Sequence, residues 1–430
     1  MTMSTSAPEP PATAAPSAAV GEAQPRQPFA PLRVGAGLLV GTALWLGPFA
    51  ANNGVLLPAR LSFIAPDQKV ALVALLSIVG SIVALLANVI FGALSDLTRS
   101  RFGRRAPWMV VGSLGASASL FALANADTVP AIVVLWCLFQ LFLNSIAAPL
   151  LATLADRVPT TRRGTYSGLV GVGTLLGAAG FTVGASAFVD DPGTGMAVTA
   201  VLVLLAGPVA ALLFGERSSR DLPRRQFSAQ TIAASFTFPS RQARDFYLAL
   251  SGKLLFNLGL YSILGYLLYI LTDHIGLSLG QAGSAIAVLN IITLVTALVM
   301  ALVCGPLSDR LGRRKVLVIG AAVVVAVGMV IPFFVPTLAG MFAFAVVAGL
   351  GAGAYNSVDQ ALNTEVLPND ETAAKDLGIL NMANTGGQII GPGVTSLMVG
   401  ITGGYGPVFV AAAAIVVIGI LPLRAIRSVR

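Results

Sequence analysis

The chain has 430 residues, of which 56% are hydrophobic and only 10% charged, and its mean hydropathy is +0.85, whereas a soluble domain carries roughly 25% charged residues. That composition excludes an ordinary soluble enzyme and favours helices in a bilayer, each satisfying its own backbone hydrogen bonds. The formal charge of +8 sits in short loops between apolar runs, as positive-inside charge rather than a nucleic-acid surface. One histidine and two cysteines offer no metal site, disulfide framework or catalytic triad, and no cofactor is expected.

Residues 1–30 are rich in Pro, Ala, Ser and Thr and read as a disordered tail without the apolar core of a signal peptide. Apolar runs of spanning length follow at 33–58, 68–94, 107–126, 129–155, 164–189, 195–215, 245–272, 279–305, 314–334, 337–366, 374–400 and 404–424. The expected fold is an all-α membrane protein of twelve transmembrane helices. Its longest loop divides it into a six-helix half over 31–215, a linker over 216–244 and a second half over 245–430.

Arg60 and Lys69 are the cations assigned to outer loops, and Lys253 falls inside a run; the other Lys and Arg share one side. They include Arg99, Arg101, Arg104 and Arg105 in one loop, and Arg310, Arg313, Arg314 and Lys315 in another. Both termini are therefore expected in the cytoplasm, with the chain in the plasma or inner membrane.

The halves repeat one another. Gly92-Ala-Leu-Ser-Asp96 followed by Gly103-Arg104-Arg105 has its counterpart in Gly305-Pro-Leu-Ser-Asp309-Arg310-Leu-Gly312-Arg313-Arg314. Ala155-Asp156-Arg157-Val158-Pro159 matches Thr364-Glu365-Val366-Leu367-Pro368. Gly173 and Gly177 in the fifth run match Gly387 and Gly391 in the eleventh. These pairs argue for a parallel internal repeat, with the glycines allowing close helix packing.

The twice-present Gly-x-x-x-Asp…Gly-Arg-Arg loop resembles the signature loop of the major facilitator superfamily. The longer first copy, Asp96-Leu-Thr-Arg99-Ser-Arg101-Phe-Gly103-Arg104-Arg105-Ala-Pro107-Trp108, is similar to that of the glycoside–pentoside–hexuronide cation symporters and the sucrose-transporter group. The resemblance implies solute transport by alternating access, often of sugars, driven by H⁺ or Na⁺, with helices 1, 4, 7 and 10 lining a central cavity. No carboxylate lies within the first two runs, where the sodium-coupled members carry acids, so H⁺ is the expected ion.

Candidate working residues follow from depth and spacing. Gly92, Asp96, Arg104, Arg105, Gly305, Asp309, Arg310 and Arg313 are the candidate gate, since loop charges can pair in one state and part in another. Lys253 and Asp359 are the ionisable residues deepest in the runs, each ~12–14 Å from the same surface at ~1.5 Å per residue. A charge there costs at least ~2.5 kcal/mol, so the two are expected to pair, with Asp359 as the proton-coupling site. Amides form stripes at helical spacing: Asn356, Gln360 and Asn363; Asn257 with Tyr261; Asn381, Asn384 and Gln388; Gln140 and Asn144. Asn52 and Asn53 lie between Pro48 and Pro58, where a broken helix would expose backbone groups. With Lys253, these residues are the candidate contacts for substrate, and interhelical hydrogen bonding is the alternative role for each. Trp45, Trp136, Tyr261 and Tyr355 are candidates for stacking on a ring, or for plain packing; His274 reads as an exposed loop residue.

The expected function is proton-coupled movement of a small, largely uncharged polar solute, sugar- or glycoside-like, by a monomer. The alternative is a proton-coupled exporter of a drug or secondary metabolite. An enzyme is not expected.

Overall fold

The computed structural model describes residues 30–159, 162–220, 239, 243–367 and 373–427, without the side chains of Asp309 and residues 373–375. Residues 1–29 of the expected tail and most of the expected linker lie outside the described residues.

Among the described residues every regular element is helical. The long helices are α1 (Pro31–Ile64), α2 (Lys69–Leu97), α3 (Ala106–Ala124), α4 (Val129–Arg157), α5 (Arg163–Ala185), α6 (Pro192–Phe214), α7 (Arg244–Leu264), α8 (Leu279–Leu311), α9 (Arg314–Phe334), α10 (Leu338–Glu365), α11 (Ala373–Thr402) and α12 (Gly406–Ala425). Eleven are long and apolar enough to cross a membrane. The twelfth, α11, has 30 residues, but Asn381, Asn384, Gln388 and several glycines dilute its hydropathy. The chain is a multi-pass membrane protein.

Local chemistry sets the helix ends. The Asp191 side chain accepts from the Thr194 N–H, and Pro192 supplies the first helical position of α6. Ser278 and Gln281 form a reciprocal capping box at the start of α8. Gly215 and Gly312, with φ of 56° and 58°, close α6 and α8 in the left-handed conformation.

Two helices depart from the expected runs. α1 extends to Ile64 and contains a π turn at Asn52–Leu56. α7 breaks near Gly265 and continues through Leu267–Tyr269 into a second π turn at Ile270–His274. The two π turns lie in corresponding helices of the repeat.

Packing repeats as well: α1 lies on α5 and α6 as α7 lies on α11 and α12. A Cβ at Gly173 would sit 2.4 Å from the Leu39 carbonyl oxygen, and one at Gly177 2.7 Å from that of Ala43. At Gly387 it would lie 2.5 Å from Asn257 Cβ, and at Gly391 2.9 Å from the Leu258 carbonyl. Bare backbone is what lets each pair approach, as in other membrane bundles.

The halves meet where α2 faces α11 and α5 faces α8. One end of the bundle, the basic end, carries the start of α1, the end of α12 and the arginine loops; Lys315 there donates to the Ile426 carbonyl at 2.8 Å. The identified polar contacts between halves lie at the opposite, far end. Lys69 pairs with Asp273 at 2.7 Å, Tyr266 donates to the Val70 carbonyl at 2.8 Å, and Tyr269 donates to the Pro58 carbonyl at 2.9 Å.

Candidate functional site

Lys253 on α7 and Asp359 on α10 meet, as their depth predicts. Lys253 Nζ donates to Asp359 Oδ2 at 2.7 Å, and the residues are 3% and 4% exposed. Asn363, one turn along α10, donates to the same oxygen at 2.8 Å. Tyr355, one turn the other way, stacks flat on Phe256 of α7 with ring centroids 3.6 Å apart. Its hydroxyl lies against the Asp359 carboxylate. Removing one partner from such a pair strands a buried charge, at about 3–5 kcal/mol.

The amide stripes divide. On α10, Asn356 and Gln360 are exposed, and on α11 Asn384 is half-buried. Tyr261 and Gln388 join the α7 and α11 stripes, the amide donating to the phenol oxygen at 3.1 Å. Asn257 is buried and donates back to the Lys253 carbonyl at 2.8 Å. Asn144 donates to the Gln140 carbonyl at 2.9 Å while Asn88 reaches its side-chain oxygen at 3.5 Å. Asn52 is fully buried, with its amide on Pro48 O and Thr199 Oγ1 at 2.8 and 2.9 Å; Asn53 beside it is half-buried. Asn52, Asn144 and Asn257 thus have their amide donors engaged within the protein. Trp136 is also committed: it donates to the Leu76 carbonyl at 3.2 Å and packs on Phe49 and Phe139.

The candidate gate is a compact network at the basic end of the first half. Arg105 pairs with Asp96 at 2.6 Å and Asp156 at 3.0 Å, and donates to Ser95 Oγ at 2.5 Å. Arg104 reaches Asp156 at 2.7 Å and Asp96 at 3.9 Å. In the second half the corresponding arginine, Arg314, pairs with Glu365 at 2.5 Å; Arg310 and Arg313 are exposed. The Asp309 side chain lies outside the described residues. A Cβ on Gly92 or Gly305 would meet nothing within 4 Å.

Two participants escaped the sequence reading. Asp156 belongs to a repeated segment, but nothing in its pattern names Arg105 as partner. Glu216 stands alone after α6, yet its Oε2 accepts the N–H groups of Arg105 and Ala106 at 2.9 and 3.2 Å, capping α3. A Cβ at Gly103, where φ is +93°, would come within 2.1 Å of that carboxylate. Burial pushes the Glu216 carboxyl above the ordinary glutamate range, opposed by the two N–H groups and then by Arg105 and Arg104.

A family model described as Major Facilitator Superfamily matches residues 42–295 and 249–429. Among solved structures, the chain is similar to the nucleoside transporter NupG, with TM-score 0.69, 14% identity and coverage of 91% of this chain and 99% of that one. It is similar to a D-xylose–proton symporter, with TM-score 0.66, 16% identity and coverage of 93% and 98%. It also resembles a bacterial homologue of the human lysosomal transporter Spinster in an inward-facing, occupied conformation, with TM-score 0.65, 14% identity and coverage of 93% and 96%. At these identities the likenesses show the fold alone. Comparison with curated proteins returns no match.

Proposed function

The chain belongs to the major facilitator superfamily and is a transporter rather than an enzyme, and we propose that it moves a small polar solute by alternating access, coupled to protonation of Asp359. The observation that carries this reading is the buried Lys253–Asp359 pair joining α7 to α10. A carboxylate's hold on a proton depends on the water and the cation around it. Any motion that separates α7 from α10, or admits water, alters both, so proton occupancy follows conformation. The exposed amides of α10 and the Tyr261–Gln388 pair supply donors and acceptors for a hydroxylated, sugar-like solute.

The far-end contacts are those of a carrier closed at that end. With the arginine loops facing the cytoplasm of a plasma or inner membrane, this is the state accessible from inside. The Asp96–Arg105–Asp156 network works on the same cycle as a gate, and the transporting unit is one chain.

Asp359→Asn tests the coupling. In proteoliposomes, the variant should lose accumulation driven by a pH gradient while keeping counterflow, which needs no net proton movement. Full gradient-driven accumulation in this variant would sink the proposal and leave facilitated diffusion as the better account.

A further inference from the structure

Asp359 accepts from Lys253 and Asn363 on one oxygen, and the Tyr355 hydroxyl lies against the same carboxylate. One polar atom beside it, Asn363 Oδ1, is buried and unpartnered. Facing the pair, α7 contributes Lys253 and α10 contributes Tyr355. The neighbouring helices carry their charges near the basic end: Arg310 on α8, Arg314 on α9 bound to Glu365, Asp376 on α11 and Arg424 on α12.

When Asp359 takes up a proton, Lys253 is left as an ammonium among neutral side chains at 3% exposure. Such a charge has two outlets. It can shed its own proton, but then one proton leaves for the one that entered, and none is carried. Or it can meet an anion from outside. Only the second outlet keeps a net proton bound and the ammonium compensated.

We infer that the site takes a carboxylate: one proton and one singly charged, hydroxylated monocarboxylate bind together, the solute's carboxylate replacing that of Asp359 on Lys253. The amide of Asn363 and the hydroxyl of Tyr355 are placed to donate to it, and Asn363 Oδ1 is free to accept from the protonated Asp359 carboxyl. The exposed amides Asn356 and Gln360 on the same helix are left for the solute's hydroxyl groups. Proton and monoanion sum to zero charge, so their joint movement is electroneutral. The inference rests on Asp359 as the proton site and replaces the largely uncharged solute expected from sequence with a singly anionic one.

Formate, with formamide as its neutral match, tests this on the detergent-purified full chain. Formate should raise the melting temperature of the wild type at about pH 5.5, with apparent affinity roughly 5- to 150-fold weaker at about pH 8; formamide should act at neither. Asp359→Asn, which fixes the uncharged side chain, should bind formate equally at both values. Lys253→Gln with Asp359→Asn should bind at neither. In weakly buffered solution, formate should draw about one proton per wild-type chain, an arm that stands even if the variants fold poorly. Equal affinity at both pH values, an equal response to formamide, or binding by the double variant overturns the inference. If formate binding is absent while Asp359→Asn still loses gradient-driven transport, the carboxylate idea fails and the coupling reading survives. Formate binding with transport intact is the reverse result.

Discussion

Arg105 and Arg314 hold equivalent places after α2 and α8, and each reaches an acid at the end of the equivalent helix, Asp156 on α4 or Glu365 on α10. Around this shared contact the halves diverge. Among the described residues, the first adds Asp96, Arg104 and Glu216, giving a dense network around the buried Arg105, and its identified ion pairs lie near the helix ends. Among the described residues, the second has the Arg314–Glu365 pair at its helix ends and sets Lys253 and Asp359 within the bundle. The duplicated frame holds the helices alike, whereas the depth of charge differs between halves. The network at the helix ends keeps its acids, Asp96 and Asp156, within reach of water. A buried pair responds steeply to any change in hydration or separation.

Breaking the deep pair should have the largest effect. Lys253→Ala strands Asp359 and should destabilise the fold by about 3–5 kcal/mol, read as a lowered melting temperature. Lys253→Ala with Asp359→Ala should recover much of that loss. If the double variant is no more stable than the single, the two are not energetically coupled.

The network at the helix ends should respond less. Asp156→Asn weakens contacts to both Arg104 and Arg105, at about 1.5–3 kcal/mol for a charged hydrogen bond. Asp96→Asn should leave solute binding intact and slow transport, and normal transport would refute the gate. Glu365→Gln in the second half loosens its exposed pair with Arg314 and should cost about 0–1 kcal/mol.

The far end offers a neutral counterpart. Tyr269→Phe removes one hydrogen bond between halves, worth about 0.5–1.5 kcal/mol, and should favour opening there. On a background lacking Cys137 and Cys304, a cysteine at Asn53 should then react faster with an impermeant thiol reagent. An unchanged rate would mean that this contact does not hold the far end closed.

Glu216 should give the smallest effect, and its sign follows from burial. Its folded pKa is raised, so the folded chain holds this proton more tightly than the unfolded one. This contribution favours folding at low pH and declines as pH rises from the ordinary glutamate range through the raised value. Glu216→Gln should flatten that part of the melting-temperature profile; an unaltered profile would show that another group sets it.

What the sequence made legible was whatever depends on depth and period. Twelve runs became twelve long helices, and the two deepest ionisable side chains found each other because little else in the bundle could compensate them. The glycines of α5 and α11 met α1 and α7 as the repeat implied. Partnerships set by tertiary approach were not legible. Glu216 caps a helix more than a hundred positions away in sequence, and its neighbours carry no trace of that. The reach of Asn257 back to the Lys253 carbonyl is a rotamer choice that a stripe of amides leaves open. The π turns were hidden because one surplus residue in an apolar helix leaves hydropathy unchanged.

That surplus residue has a consequence for length rather than chemistry. A π turn amounts to an α-helix with one residue too many, and each residue turns the helix by about 100°. Deleting one position within Asn52–Leu56 would remove that extra residue and let α1 relax to regular winding with everything beyond it left in register. The Pro58 carbonyl would keep Tyr269, and Arg60 would keep Asp127, which it now holds at 3.1 Å. A single-codon deletion between 52 and 56 would thus spare both far-end contacts, whereas a regularly wound helix has no surplus residue to give up.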